Sequence, residues 1–200
     1  MFDILREDLR QACFYNHKGD TGVRAFFDHL LHPGTQTVLL YRFGQWTRRL
    51  RLPVVRHLLR LLYFLVKPFQ EAVTGVVISS GATIGPGFVI HSGYGVYVGA
   101  VTIGRNVLIQ HGVVLAYGTG PYGHDIYFGA GAKVVNGGRV GSRVRIGANA
   151  VVVDSIPDNC TAVGVPARVV RLRMPDGEVV RVAHEERGEF MMNLPAVHEG

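Results

Sequence analysis

From residue 76 onward the chain repeats itself every six residues, and this period constrains the fold more than any other feature. Units such as ISSGAT, IGPGFV, IGRNVL and IGANAV open on an aliphatic residue that glycine often follows. Such repetition indicates a solenoid, in which each unit supplies one strand and one turn and three units close a triangular coil. Turn signals in a β-sandwich recur only about every 8 to 12 residues. We therefore predict a mainly β protein, a parallel β-helix whose opening aliphatic residues stack inward, with glycine and asparagine at the corners.

The first 74 residues have a different texture, which predicts a small α-helical domain. In FDILREDLRQACFYN the apolar residues recur at the spacing of an amphipathic helix. Further along, Pro33-Gly34 follows one predicted helix and Pro53 opens another. After the first helix, the predicted helices cover about 22–32, 35–50 and 53–67.

Length and composition agree with this division. A chain of 200 residues with 48% hydrophobic content can bury a core as one domain with a small appendage. The predicted regions are the α-helical domain at 1–74, the β-helix at 75–171 and a C-terminal extension at 172–200. In the extension, the PDG sequence predicts a tight turn between two short strands.

Charge and cysteine content favour a cytoplasmic protein with an anionic partner. The formal net charge of +6 suits a phosphorylated cofactor, nucleic acid or a membrane surface. The two cysteines, Cys13 and Cys160, lie far apart in the sequence and form no disulfide framework. Charged residues interrupt the N-terminus, so no signal peptide is predicted. The apolar run at 58–66 is too short to span a bilayer.

The sequence AYGTGPYGHDIY, residues 116–127, interrupts the six-residue period most clearly. This segment is too rich in glycine and polar residues to form the side of a coil. It is therefore predicted to protrude as a loop that carries His124 and Asp125, and loops on rigid scaffolds often carry function.

Several motifs together resemble a known family. LLYRFGQW, GATIGPGFVIHSGYGVYVG, QHGVVL, GAGAKV and GVPARVV are similar to sequences of the serine O-acetyltransferase branch of the left-handed β-helix, or hexapeptide-repeat, acyltransferases. The resemblance covers about residues 1–171 and implies left-handed coils. It also implies acetyl transfer from acetyl-coenzyme A (acetyl-CoA) to a hydroxyl group. The expected assembly is a homotrimer, or a dimer of such trimers, with active sites between neighbouring coils and neither metal nor nucleic acid.

The resemblance places the family's catalytic histidine at His91 and its second active-site histidine at His124. A neutral imidazole can accept the proton that an alcohol loses as it attacks a thioester. Backbone N–H groups of glycine-rich turns can then stabilise the oxyanion. We predict His91 as the general base, and Tyr94 and Asp125 as acceptor-binding residues. His111 stands in a regular repeat unit and is interpreted as structural.

Two departures from the family's pattern concern the acceptor. The family has one aspartate directly before the catalytic histidine and another before its HP motif, whereas Ile90 and Val77 stand at those positions here. An aliphatic side chain cannot pair with an amino acid's ammonium group, and a partly buried unpaired charge is costly. The sequence therefore predicts a sugar or a more apolar hydroxyl compound as acceptor instead of free serine. Asp125, a backbone carbonyl and a residue of an adjacent subunit remain candidates for orienting His91.

Coenzyme A is expected to lie along a groove between coils, with its pantetheine amides against the backbone of GAGAKV and IGANAV. Small alanine side chains allow close approach there, and basic side chains, among them Arg171, can bind the phosphates. The predicted cofactor-binding residues are Gly118, Ala130, Ala132, Lys133, Ala148 and Arg168.

Three alternative functions stay open. The first keeps serine as acceptor, with rearranged acids such as Asp20 or Asp125, and the second is a catalytically inactive binding scaffold. The third treats the basic helix at 48–60 as a membrane-surface anchor, although we interpret its arginines as flanking an ordinary core-facing stripe. The tail lacks the terminal isoleucine with which the family's serine enzymes dock to cysteine synthase, so that partnership is not expected.

Overall fold

The computed structural model describes residues 2–16, 31–174 and 177–182. Within these residues, three α-helices precede a series of short strands. The helices are α1 (Phe2–Asn16), α2 (Pro33–Thr47) and α3 (Pro53–Thr74). The helix predicted at 22–32 falls almost entirely outside the described residues.

The strands are short, most of them two or three residues long, as six-residue units require. Their bounds are β1 Val76–Ile78, β2 Thr83–Ile84, β3 Phe88–Ile90, β4 Val96–Val98, β5 Thr102–Ile103, β6 Val107–Ile109, β7 Val114–Leu115, β8 Ile126–Phe128, β9 Lys133–Val134, β10 Arg145–Ile146, β11 Val151–Val152, β12 Cys160–Val163, β13 Arg168–Arg173 and β14 Val179–Arg181.

Successive coils stack in parallel into a β-solenoid of about five turns with three faces. The first face is the sheet β1-β4-β7-β9-β11, and the second is β3-β6-β8-β10-β12, which β13 and β14 extend in antiparallel pairing. The third face is β2-β5, continued by single-residue bridges through Tyr122, Val140 and Ile156. The predicted parallel β-helix with a helical N-terminal region is confirmed.

The core consists of apolar columns inside the triangle, one behind each face. On the second face, Ile90, Ile109, Phe128 and Ile146 stand above one another in register, and each is essentially inaccessible to water. These are the aliphatic and aromatic residues that open the repeat units. Burial of their side chains is the main term that stabilises the stack, because neighbouring coils share one continuous core.

The corner before the second face repeats one unusual backbone conformation in every coil. Gly87, Asn106, Asp125, Arg143 and Asn159 all have φ between 55° and 76°. Glycine and asparagine adopt this left-handed conformation at low cost, whereas most other residues do not. The prediction of glycine and asparagine at the corners agrees with this geometry.

The segment 116–127 protrudes only in its first half. The prediction that its second half also forms a protruding loop is wrong. Tyr122 is 3% exposed and occupies the inward column of the third face, where its ring meets Phe128 edge-on at 5.9 Å. His124 and Asp125 consequently lie at a coil corner and not on a loop. Burial of the Tyr122 and Ile126 side chains outweighs the local preference of GTGPYGHD for an irregular loop.

Helix α3 is longer than predicted. Pro68 lies inside the helix, which ends at Thr74 with Gly75 in the left-handed conformation and the Gly75 N–H donating to the Glu71 carbonyl at 2.9 Å. An interior proline loses one helical hydrogen bond. The helix nevertheless continues past Pro68 to the left-handed glycine.

The apolar stripe of α3 does not face the core, contrary to the sequence interpretation. The side chains that α3 buries are Tyr63 and Thr74, while Leu58, Leu65 and Phe69 are exposed to solvent. Periodicity shows that a helix has an apolar side, but it does not say which side docks. Here a polar side docks: Gln70 donates hydrogen bonds to Thr37 of α2 and, at 2.7 Å, to Thr74.

Helices α1 and α2 cover the end of the solenoid where the first coil has no neighbour. Between the first two coils, the Gly85 N–H donates to the Ile103 carbonyl. The Ile84 carbonyl is the equivalent group one coil earlier, where no coil precedes it, and it accepts Arg42 Nη1 at 2.6 Å instead. Arg42 also binds the Asp8 carboxylate through Nε at 2.8 Å, and Asp8 accepts the Phe88 N–H at 2.9 Å. The Arg42–Asp8 pair therefore supplies hydrogen bonds that a preceding coil would otherwise make.

Replacing Arg42 with methionine should destabilise the protein strongly. Arg42 and Asp8 are 7% and 3% exposed, so the change leaves a buried carboxylate and a buried carbonyl without their partner. We expect the free energy of unfolding to fall by about 3 kcal/mol or more, measured by denaturant titration.

Arg10→Met is the matched control, because Arg10 pairs with Glu7 at 2.8 Å on the open surface of α1. That variant should change stability little. Equal losses in the two variants would show that Arg42 does not cap the solenoid.

Candidate active site

His91 opens an enlarged turn at the corner between the second and first faces. Residues 91–95 link Ile90 to Val96, whereas 110–112 make the equivalent link in the next coil, so the first turn is two residues longer. His91 is half-buried, and its N–H donates to the Ile109 carbonyl at 2.9 Å. The ladder thus fixes the backbone of His91, while the longer turn opens space beside its side chain.

The N-terminus of α2 lies directly against this turn. A Cβ added at Gly34 would collide with the Ile90 carbonyl oxygen, and one added at Gly93 would lie 2.8 Å from Cβ of Pro33. Only glycine allows approaches this close. Packing of α2 therefore holds the residues on both sides of His91.

A second imidazole, which was not predicted from the sequence, belongs to the same neighbourhood. His32 caps α2, and its Nδ1 accepts the Gly34 N–H at 3.3 Å, so a neutral ring carries its proton on Nε2. Burial lowers the pKa of His32, and the nearby His91 lowers it further. The sequence signal was a histidine directly before Pro-Gly at a helix start, a position where side chains cap helices.

His91 and Asp125 line one open groove of about 1000 Å³ over the outer side of the second face. The outward side chains of Tyr127, Arg145 and Thr161 form its floor, and α1 closes one end. The remaining described residues along its edges include Gln11, Tyr15, Asn106, Gln110, Arg143 and Asn159. The groove extends from His91, at one edge of the second face, to Asp125, at the other edge and two coils further along.

The groove is strongly basic. Arg143, Arg145, Arg171 and Arg173 all line it, against the single carboxylate of Asp125 among the described lining residues. The Arg145 guanidinium lies over the Tyr127 ring at 5.5 Å, which holds it in place on the floor. Guanidinium groups bind phosphate and carboxylate oxygens in pairs of hydrogen bonds. The groove can thus hold an anionic ligand.

Of these four arginines, only Arg171 was predicted from the sequence as a ligand-binding residue. The available signal for the others was their position in the repeat: Arg145 is the residue before an inward isoleucine, and alternation along a strand turns it outward. Arg143 lies two residues earlier, at the left-handed corner, where its Nε donates to Asn159 Oδ1 at 2.5 Å.

His124 is part of a hydrogen-bonded ladder along the corner before the second face. Its Nδ1 accepts the Arg105 N–H at 3.0 Å, and its own N–H donates to Ser142 Oγ at 3.1 Å. The next step repeats the pattern, since the Ser142 N–H donates to Asp158 Oδ1 at 2.8 Å. Because His91 follows β3 and His124 precedes β8, the two rings lie at opposite edges of this face. The chain does not bring them together.

The predicted cofactor-binding residues divide into exposed and buried sets. Ala132 is 0% exposed in the inward column of the first face, so only its backbone can meet a ligand. Ala130 and Ala148 lie at the corner after the second face, and Lys133 projects outward from β9.

The remaining predicted ligand-binding residues lie at the surface. Gly118 has φ of 73° in the protruding loop, and a Cβ added to it would meet no atom within 4 Å. Tyr94 is exposed in the His91 turn. Arg168 begins β13, with Nη1 3.4 Å from Asp154. All three are accessible to a ligand.

Comparison with known proteins decides the family. The serine acetyltransferase of Synechococcus elongatus is 36% identical over an alignment of 227 positions, which takes in all of this chain and 88% of that protein. This chain belongs to the serine acetyltransferase family. The serine acetyltransferase of Mycobacterium tuberculosis is 33% identical over 184 residues, covering 88% of this chain and 76% of the relative. No protein-family model matches the chain.

Solved structures of serine acetyltransferases share the fold. The Neisseria gonorrhoeae protein aligns with a TM-score of 0.68 at 26% identity, covering 88% of this chain and 69% of that one. The Brucella abortus protein in complex with coenzyme A aligns at 0.66 and 26%, covering 84% and 67%. The soybean protein complexed with serine aligns at 0.66 and 27%, covering 84% and 70%. The predicted enzyme class, an acetyl-CoA-dependent O-acetyltransferase, is confirmed.

The expectation that free serine is not the acceptor is contradicted by these comparisons, since the relatives above are serine acetyltransferases. That expectation required carboxylates at the positions of Ile90 and Val77. Asp125 lines the same groove as His91 from a different coil, at the opposite edge of the second face. Asp20, the other acid considered, lies outside the described residues.

Gly34→Ala should reduce the rate of acetyl-CoA turnover strongly and the thermal stability of the protein only slightly. The added methyl group collides with the Ile90 carbonyl and pushes α2 away from the His91 turn. A displacement of about 1 Å at a reacting group can cost about a hundredfold in rate. Steady-state turnover and thermal unfolding, measured together, separate the two effects.

Gly81→Ala serves as the control, because a Cβ there meets only the Ala100 side chain closely, at 3.1 Å. This variant should keep nearly full turnover. If both variants are equally active, the contact between α2 and the His91 turn does not position the site.

Proposed function

We propose that this protein is a serine O-acetyltransferase, which transfers the acetyl group of acetyl-CoA to the hydroxyl of L-serine. The observation that carries the proposal is full-length similarity to a serine acetyltransferase, with all of this chain aligned. A groove that combines an imidazole, a carboxylate and several guanidinium groups supports it.

In the proposed reaction, His91 acts as the general base. Its neutral imidazole accepts the serine hydroxyl proton as the oxygen attacks the thioester carbon, so that a C–O bond forms. The tetrahedral intermediate then collapses, the C–S bond breaks, and the coenzyme A thiolate takes the proton back from the imidazolium. The products are O-acetylserine and free coenzyme A. Backbone N–H groups of Gly93 and Gly95, in the enlarged turn, are the proposed oxyanion donors.

Asp125 is proposed to contribute negative charge to the groove that receives the serine ammonium group. Its Oδ1 accepts a hydrogen bond from Asn106 Nδ2 at 2.9 Å, which fixes the carboxylate at the groove edge. The left-handed backbone at Asp125, with φ of 57°, aims the side chain from the corner.

Coenzyme A binding is proposed to use the exposed members of the predicted set. Ala130 and Ala148 leave the corner after the second face open to the pantetheine arm, and Lys133 and Arg168 supply positive charge for the phosphates. His124 is proposed to act as a structural element of the corner ladder instead of a catalytic residue. The homotrimer implied by the resemblance remains a prediction.

The function is tested by thiol release from acetyl-CoA with and without L-serine. We expect release that depends on serine, and a loss of about a hundredfold or more in His91→Ala, because a general base contributes about that much. His111→Ala is the control, since His111 is an exposed residue at the same corner one coil later. Release with other hydroxyl compounds but not with serine would overturn the acceptor. Coenzyme A binding without any turnover would indicate a scaffold.

Asp125→Asn should weaken serine binding without weakening the fold. Asparagine already occupies the equivalent left-handed corner position at Asn106 and Asn159, so the backbone accepts it. Loss of the negative charge should raise KM for serine by about tenfold and leave KM for acetyl-CoA unchanged. An unchanged KM for serine would exclude this role of Asp125.

A further inference from the structure

The outward side of α3 is an uninterrupted apolar surface. We name it the α3 apolar face, and each of its members is between 40% and 79% exposed. Its residues are Val54, Val55, Leu58, Leu61, Leu62, Leu65, Val66, Phe69 and Val73. At 3.6 residues per turn they fall within a sector roughly 140° wide.

The polar side of α3 faces the protein, which is the reverse of an ordinary surface helix. Arg56, Arg60 and Lys67 lie half-buried on that side, and Lys67 pairs with Glu71 at 2.7 Å. Tyr63 fills the space above Gly44 of α2. The contacts of α3 with α2 thus leave the apolar face turned outward. A contiguous exposed apolar surface of this kind marks an interaction site.

The charge around most of α3 is positive. Residues 31–70 contain no aspartate or glutamate and seven cations, of which Arg42 is buried against Asp8 and Lys67 pairs with Glu71. The other five are Arg48, Arg49, Arg51, Arg56 and Arg60. Arg48, Arg49 and Arg51 are exposed in the connection that leads into α3. Positive charge beside an apolar helix face is complementary to the head groups of anionic lipids.

The charge beside the α3 apolar face favours an anionic lipid surface over a second copy of the chain. Arg48, Arg49 and Arg51 are exposed there, and a second copy would bring the same positive charges. The nine side chains of the face offer no hydrogen-bonding group, and an acyl-chain environment requires none. In the part of the chain that the structure describes, no helix has the length and apolarity to cross a bilayer. A helix that lies in the membrane surface buries its apolar face in lipid without crossing the bilayer.

We propose that α3 binds the surface of an anionic membrane. The α3 apolar face enters the boundary between head groups and acyl chains, and Arg48, Arg49 and Arg51 contact the head groups. The solenoid, on the opposite side of α3, then faces the aqueous phase with its groove accessible. This site goes beyond the proposed acetyl transfer, which does not depend on it.

The test is flotation of the purified full-length protein with vesicles of phosphatidylcholine alone and of phosphatidylcholine mixed with phosphatidylglycerol. We expect the protein to float with the mixed vesicles and to bind less to the neutral ones. Leu58→Glu combined with Leu65→Glu should reduce the bound fraction at least about tenfold, because it places two charges in the apolar boundary. Arg49→Ala combined with Arg51→Ala should weaken binding to the mixed vesicles only.

Phe14→Glu is the matched control, since Phe14 is an exposed apolar residue on α1, away from α3. It should float like the wild type, and circular dichroism confirms that each variant is folded. Wild-type protein that stays unbound with both vesicles overturns the proposal. A Leu58→Glu, Leu65→Glu variant that still floats also overturns it. The proposal is likewise wrong if this variant has a lower molar mass than the wild type in light scattering, because the face would then be an interface between copies.

Discussion

A parallel solenoid leaves unpaired backbone groups at its first coil, and the buried Arg42–Asp8 pair supplies the missing partners. Arg42 donates to the carbonyls of Ile84 and Gly85, and Asp8 accepts from Phe88. Tyr41 adds a further bond of this kind, to the Ala82 carbonyl at 2.8 Å. The bonds to Ile84, Ala82 and Phe88 replace ones that a preceding coil would form, so the ion pair is held by the backbone that it satisfies.

The same capping arrangement sets the geometry of the candidate site. Once Arg42 fixes α2 over the first coil, the N-terminus of that helix meets the His91 turn and brings His32 beside it. Asp8 fixes α1 across the second face, where Ala12 packs against Val89 and Leu108 and the end of the helix closes the groove. The helical region therefore stabilises the solenoid and shapes the site with the same contacts.

The proposed acceptor-binding residue Asp125 stands at a different place in the repeat from the carboxylates of the family pattern. Family positions for carboxylates hold Ile90 and Val77 here, and a position-by-position comparison therefore favoured an acceptor other than serine, with serine kept as an alternative. Stacked coils, however, present residues from different repeats to one groove. Asp125 reaches the same groove as His91 by this route. In a solenoid, a charge can move from one coil to the next and still face the same ligand.

The sequence by itself determined the repeat, the inward columns and the division between helices and solenoid, because each depends on local periodicity of apolar residues. It also selected His91 through a family resemblance and Asp125 through its place in the irregular segment 116–127. Only the tertiary structure decided that Tyr122 returns to the core, that His32 lies beside His91 and that the apolar side of α3 faces outward. Those outcomes depend on which distant segments pack together, and periodicity along one segment carries no information about its partner.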